Sequence, residues 1–256
     1  MTETWLRFEH GGRIGFGRLQ EGDIHIHHGD LFGQQRPSQE RLPLHAVRLL
    51  PPCQPGKFIG LWNNFAERAA HEGLSKPAHP LYFFKADSCV IAHGQSIRQP
   101  ASYSGPVVFE GELGVVIGRP CRMIEASQAD DYIFGYTCVN DVTARGILKS
   151  DPSFVQWSRA KGFDTFGPIG PWIVRGIDPD GLRVRTLVNG AVKQDYPVAD
   201  MFYRPREIVA LLSRDMTLMP GDVIACGTSL GADALNPGDT VEIDIEGIGR
   251  LSNRFA

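Results

Sequence analysis

Hydrophobic and polar residues alternate near the start of this chain with the period of two that is typical of β-strands. The alternation is clear over residues 5–8 and 24–27, and glycine-containing turns punctuate these short segments. Residues 1–50 are therefore predicted to form a small β-rich domain. Three prolines fall within residues 51–56 and suit neither a helix nor a central strand, so this stretch is predicted to be a linker.

The rest of the chain, residues 57–256, is predicted to be a second and larger domain, made mostly of strands. Asn189-Gly190 has the two turn residues of a β-hairpin, and Pro205 opens the clearest helix. The class is a β-rich α+β fold that depends on non-local strand pairing. Helices are predicted at 64–72 and 205–213, and strands at 57–61, 81–85, 107–117, 132–140, 182–188, 191–194, 222–225 and 240–245.

Composition and charge narrow the function classes. With 42% hydrophobic and 21% charged residues, the chain resembles an ordinary globular protein. Its formal net charge of -3 gives no general attraction to nucleic acid or to an anionic membrane, and we expect neither as a partner. The apolar runs are too short to cross a bilayer, and the N-terminus lacks the pattern of a secretory signal. Five scattered cysteines without a Cys-x-x-Cys pair favour the reducing cytoplasm.

Three carboxylates are the main candidates for chemistry. Glu110 and Glu112 lie two apart in an apolar strand, so their side chains share one face. Asp141 ends the next predicted strand and could reach the same place. Carboxylates held together need a compensating cation, and hard oxygen donors suit Mg²⁺ or Mn²⁺. On spacing alone the signal is weak, and solvated charges or pairs with arginines are the favoured interpretation.

Several motifs in a fixed order closely resemble the fumarylacetoacetate hydrolase family. They include Phe109-Glu110-Gly111-Glu112, Val139-Asn140-Asp141, Ala160-Lys161-Gly162 and Cys226-Gly227-Thr228. Matching segments extend from about residue 57 to residue 255, so the resemblance covers the larger domain. It implies a mixed β-roll or sandwich, usually dimeric, that binds Mg²⁺ or Mn²⁺ and acts on a small 2-oxo acid. We therefore expect a homodimer.

The resemblance also assigns roles to individual residues. It places the metal on Glu110, Glu112 and Asp141, and a positive charge beside the metal on Lys161. It assigns the contact with the substrate carboxylate to the turn formed by Gly227 and Thr228. Arg145 follows Asp141 by four residues and could bind a substrate carboxylate or brace Asp141; both possibilities stay open.

Members of the family hydrolyse carbon–carbon bonds of acylpyruvates, decarboxylate acids such as oxaloacetate, or tautomerise dienols such as 2-hydroxyhepta-2,4-diene-1,7-dioate. The first reaction, within aromatic or carboxylic acid catabolism, is the expected one. A catalytically silent binding relative is the alternative from another class, but such a relative need not keep the three carboxylates present here.

One motif departs from the family. Many of its hydrolases carry Asn-Tyr-Ala-Asp-His-x-x-Glu on a mobile helix, where the His and Glu activate water. The corresponding segment begins at Asn64 and has Arg68 in the His position and His71 in the Glu position. Glu67 and His71 are four residues apart on one helix face, so they could pair as candidate catalytic residues, and whether they replace the missing dyad stays open. The departure leaves decarboxylation and tautomerisation, which need no activated water, as alternatives to hydrolysis.

Overall fold

The computed structural model describes residues 2–256, which form nineteen strands and four α-helices joined by turns and short 3-10 helices. No helix in this part of the chain is long and apolar enough to cross a membrane. The helices are α1 (Ala66–His71), α2 (Arg145–Leu148), α3 (Trp157–Lys161) and α4 (Pro205–Asp215). The strands are β1 (Glu3–His10), β2 (Arg13–Gln20), β3 (Asp23–Gly29), β4 (Gln35–Pro43), β5 (Arg48–Leu49), β6 (Phe58–Trp62), β7 (Leu81–Lys85), β8 (Val90–Ile91), β9 (Ser96–Ile97), β10 (Val107–Val108), β11 (Gly111–Ile117), β12 (Ile133–Asn140), β13 (Thr143–Ala144), β14 (Gly167–Arg175), β15 (Arg183–Val188), β16 (Ala191–Pro197), β17 (Val223–Ala225), β18 (Thr240–Ile245) and β19 (Gly249–Phe255).

A sheet of twelve strands forms the frame of the molecule. Its main path runs β4-β3-β2-β1-β14-β12-β11-β17-β6-β7, and a five-stranded sheet runs β16-β15-β18-β19-β9. Strand β11 is buried along its whole length and lies against β15 and β18 of the smaller sheet. The core therefore sits between the two sheets, which confirms the predicted β-rich α+β fold of roll or sandwich type.

The N-terminal strands continue the main sheet. Strand β1 pairs with β14 in antiparallel register, with Trp5 opposite Ile173. Three of these strands, β2, β4 and β5, are not predicted from the sequence. Strand β2 has glycines at alternate positions, and a Cβ at Gly17 would lie 2.3 Å from the carbonyl oxygen of His25. Strand β4 is polar and contains prolines at Pro37 and Pro43, which are tolerated because it lies at the edge of the sheet.

The predicted strand over residues 107–117 is interrupted. Strand β10 ends at Val108 and β11 begins at Gly111, so Glu110 lies in a break. The break lets β10 pair with β13 in a separate two-stranded sheet, while β11 stays in the main sheet. A Cβ at Gly111 would lie 2.0 Å from the hydroxyl oxygen of Thr186, so glycine is what allows the smaller sheet to approach here.

A buried ion pair fixes the start of the larger domain. Asp222 is completely buried, and its carboxylate accepts hydrogen bonds from the backbone and side-chain nitrogens of Lys57, at 2.8 and 2.7 Å. It also accepts one from the backbone of Met219, at 2.7 Å. These bonds join the turn before β17 to the residue before β6, and the two strands are parallel neighbours.

We expect Asp222→Ala to lower the free energy of unfolding by about 3–5 kcal/mol, because the change leaves three donors without their shared acceptor. The matched control is Asp195→Ala, which removes an exposed ion pair with Arg183 and should cost about 1 kcal/mol or less. Urea denaturation of both variants tests the difference. Equal losses would contradict the importance assigned to Asp222.

Candidate functional site

Three carboxylates converge where β11, β12 and β10 meet. Glu110, Glu112 and Asp141 each present an oxygen, and these oxygens lie within 4.8 Å of one another. The backbone N–H of Asp141 donates to the carbonyl of Glu110 at 2.8 Å, and the side chain of Asn140 accepts from the backbone of Glu110 at 3.0 Å. The break in the strand is thus held so that Glu110 faces Asp141. The convergence expected from the sequence is present.

Two buried lysines supply positive charge to this cluster. Lys161, at the end of α3, donates to Glu110 and to Asp141, the latter at 2.5 Å. Lys85, at the end of β7, donates to the second oxygen of Asp141 at 2.6 Å and to the carbonyl of Lys161 at 2.7 Å. Sequence reasoning missed Lys85. It shares a strand face with the buried Phe83, so a lysine at an inward position was the available signal.

The charges are distributed unevenly over the cluster. Burial and the nearby Asp141 raise the pKa of Glu112, which has no lysine contact among the described residues and accepts a 2.7 Å hydrogen bond from the backbone of Gly227. Burial acts in the same direction on Asp141, but the charges of Lys161 and Lys85 outweigh it and lower its pKa. Burial would lower the pKa of Lys161, whereas the three carboxylates raise it. Three carboxylates thus face two lysines.

The donor set fits a hard divalent cation. The candidate ligand atoms are all carboxylate oxygens, and a buried carboxylate that lacks a cationic partner is costly unless another positive charge approaches it. Glu112 is in that position, since its side chain is 1% exposed and its nearest partner is a backbone amide. Glu110, Glu112 and Asp141 are the residues that would hold a divalent cation, and Mg²⁺ or Mn²⁺ as that cation stays a prediction.

The Gly227–Thr228 turn forms one wall of the site. Gly227 has a φ of +94°, a conformation that favours glycine. The hydroxyl of Thr228 donates to the carbonyl of Gly111 at 2.9 Å and accepts from Gln194 at 2.9 Å. Its hydrogen-bonding capacity is therefore used within the protein, and the same bonds fix the peptide between the two glutamates. A role for this turn in binding a substrate carboxylate stays a prediction.

Helix α1 places residues in the site that differ from those expected. Arg68 lines the cavity, and its guanidinium approaches Glu110 at 4.0 Å and donates to Glu72 at 2.9 Å. Glu67 and His71 are exposed, form no ion pair with each other and line neither cavity of the site. Arg68 and Glu72 are also four residues apart, so one helix face carries them inward while the other pair faces solvent.

Two connected cavities open above the carboxylates. The inner chamber, of about 50 Å³, contains Glu110, Glu112, Lys161 and Thr228 in its wall. It opens into an outer vestibule of about 1190 Å³. Arg145 borders both and is exposed, and it makes no ion pair within residues 2–256. Lys85 and Lys161, and not Arg145, hold Asp141.

Comparison with known proteins agrees with this geometry. Residues 57–256 match the family described as fumarylacetoacetate (FAA) hydrolase C-terminal, and residues 4–52 match one described as Rv2993c-like, N-terminal. Protein Rv2993c of Mycobacterium tuberculosis is 46% identical over 225 residues, which is 87% of this chain and 83% of that protein.

A solved structure and a second relative extend the comparison. The 2-hydroxyhepta-2,4-diene-1,7-dioate isomerase from Mycobacterium marinum is 41% identical, with a TM-score of 0.91 over 99% of this chain and 98% of that one. The 4-hydroxyphenylacetate degradation bifunctional isomerase/decarboxylase of Salmonella dublin is 37% identical over 210 residues, 80% of this chain but 48% of that longer protein. The chain belongs to the fumarylacetoacetate hydrolase family.

Proposed function

We propose that this protein is a Mg²⁺- or Mn²⁺-dependent enzyme that decarboxylates or tautomerises a 2-oxo acid. The observation that carries the proposal is Arg68, which occupies the place of the histidine that activates water in many hydrolases of the family. A guanidinium stays protonated at neutral pH and cannot act as a general base. Glu110 and Glu72 raise the pKa of Arg68 against the opposing effect of burial.

The chemistry needs stabilisation of negative charge on the keto oxygen when a bond at C3 breaks. A divalent cation on Glu110, Glu112 and Asp141 would supply a Lewis acid for the carboxylate and keto oxygens of the substrate. Lys161 and Arg68 add positive charge on the side of Glu110. A cation fixed in a mostly buried chamber interacts strongly with charge that develops there, because water screens it poorly.

The functions of two relatives support the same reaction class. One is an isomerase of a dienol diacid, and another combines isomerase and decarboxylase activities. Both reactions proceed through an enolate of a 2-oxo acid and require no water nucleophile. Hydrolysis of an acylpyruvate, the reaction expected first from the resemblance, would need a base that Arg68 does not provide.

Glu112→Gln should weaken Mn²⁺ binding by more than about tenfold, since loss of an outer partner of a metal ligand already has an effect of that size. The change keeps the side chain's shape and removes its charge. Isothermal titration of Mn²⁺ into wild type and variant measures the effect. Glu40→Gln, at an exposed position of β4, is the matched control and should bind as wild type does. Unchanged affinity in Glu112→Gln would remove the metal from the proposal.

We expect wild-type protein with Mg²⁺ to decarboxylate oxaloacetate or to tautomerise a dienol diacid, but not to hydrolyse acetylpyruvate. The double change Arg68→His with His71→Glu restores the water-activating motif, and acetylpyruvate hydrolysis should rise by roughly 10²-fold, the lower range for general base catalysis. Product analysis by NMR distinguishes the reactions.

Two outcomes would contradict the proposed reaction and identify the protein as a hydrolase. The first is wild-type hydrolysis of acetylpyruvate at a rate that the double change does not increase. The second is a drop of about 10²–10⁴-fold in that rate in His71→Ala, which would assign the water-activating role to His71 despite its exposure.

A further inference from the structure

We propose that the outer vestibule binds a planar apolar group, an aryl ring or an extended alkenyl chain, attached to the 2-oxo acid. The inference rests on the proposed function for the acid itself, which would occupy the inner chamber, and it adds the class of tail that the substrate carries. A small acid without such a tail would then still bind in the inner chamber, but less tightly than an acid that carries the tail.

Three aromatic side chains form a platform at the junction of the cavities. Phe83 stacks on Trp157 with ring centroids 5.1 Å apart and planes 9° from parallel. Trp62 lies against Trp157 at 6.0 Å. The ammonium group of Lys161 sits 5.0 Å from the centre of the Phe83 ring, so the platform begins directly beside the carboxylate cluster.

The sizes of the two cavities indicate where each part of the substrate would bind, with the 2-oxo acid group in the inner chamber and its substituent in the vestibule. About 50 Å³ accommodates little more than the carboxylate and keto group of a 2-oxo acid. Any larger substituent must enter the vestibule of about 1190 Å³. The three platform residues line both cavities, so a substituent leaving the inner chamber meets them first.

The vestibule wall favours an apolar tail over a second acid. Most of its lining is hydrophobic, and the charge of Arg68 is paired with Glu72. The unpaired cations Arg145 and Lys149 are exposed, where water already solvates them. The hydrophobic lining consists of Trp62, Leu74, Pro80, Leu81, Phe83, Leu148, Val155 and Trp157, with Tyr82 as the amphipathic member.

Oxamates test the inference without turnover, because an amide nitrogen replaces C3 and the bond there stays intact. The probes are oxamate, N-phenyloxamate and N-carboxymethyloxamate, each titrated calorimetrically in the presence of Mg²⁺. In wild type we expect N-phenyloxamate to bind at least about tenfold more tightly than oxamate, from ring stacking and burial of apolar surface. N-carboxymethyloxamate should show a smaller increase in affinity over oxamate than N-phenyloxamate does.

Substitutions in the aromatic platform test whether these side chains cause the preference for the phenyl group. Trp157→Ala should abolish most of the phenyl preference, measured as the ratio of the N-phenyloxamate and oxamate affinities of the same variant, whereas Trp157→Phe should keep that preference. If Trp157→Ala does not fold, Trp62→Ala replaces it. Phe84→Ala is the matched control, because Phe84 is a neighbouring aromatic residue of β7 that is 43% exposed and lines neither cavity.

The results distinguish failure of the apolar-tail inference from failure of the proposed function. If oxamate binds but the phenyl group adds less than about twofold, or adds as much in Trp157→Ala, the platform does not bind the tail. A larger gain from N-carboxymethyloxamate, lost in Arg145→Gln, would replace the apolar tail by a second acid. If oxamate itself fails to bind with Mg²⁺, the proposed function fails and the inference fails with it.

Discussion

Burial of three carboxylates in one place is the constraint on which the rest of this structure depends. Like charges in a medium that water does not reach repel strongly, so each needs a compensating positive charge or a hydrogen-bond donor. Lys161 and Lys85 compensate Glu110 and Asp141, while Glu112 relies on a backbone amide. The cluster is stable as a polar unit only because every one of these partners is held in position by a different part of the fold.

The sheets provide that positioning. Glu112 is fixed by a strand that is buried on both faces, and Asp141 by the end of the neighbouring strand. Lys85 comes from the far edge strand β7, and Lys161 from a helix of only five residues. The backbone carbonyl of Lys161 accepts from Lys85, so the two lysines are tied to each other as well as to Asp141. Removing one partner would therefore disturb the others.

The sequence was sufficient for the carboxylates and for the strand-rich fold, because strand periodicity and motif identity are local signals. The strand boundaries at 81–85 and 240–245 agree with the observed ones. Other features depend on contacts between distant segments. The need for glycine at position 111 follows from the approach of Thr186, which belongs to another sheet. The polar edge strand β4 is defined by its neighbour β3 and shows little hydrophobic alternation of its own.

Within the site, the orientation of helix α1 also depends on tertiary contacts that the sequence does not reveal. Spacing of four residues describes Glu67 with His71 and equally Arg68 with Glu72, and sequence alone does not say which pair faces inward. Burial of Ala69 and the bond from the backbone of Glu67 to Asp200 set the helix rotation, and both are tertiary contacts. The difference matters for the chemistry. Arg68 places a permanent cation in the cavity, whereas His71 in that position would have offered a base.

By pairing with β14, strand β1 covers a sheet edge that would otherwise be exposed to solvent. Strand β14 has β12 on one side and β1 on the other, so its backbone groups are paired along both edges where these strands run beside it. Without β1, an apolar strand from the centre of the sheet would present unpaired N–H and C=O groups to solvent, which is the geometry that recruits foreign strands and leads to aggregation. The polar, proline-containing β4 ends the sheet instead, and its composition discourages further strand addition. Residues 2–50 thus act as a cap on a sheet edge, whatever part they take in binding.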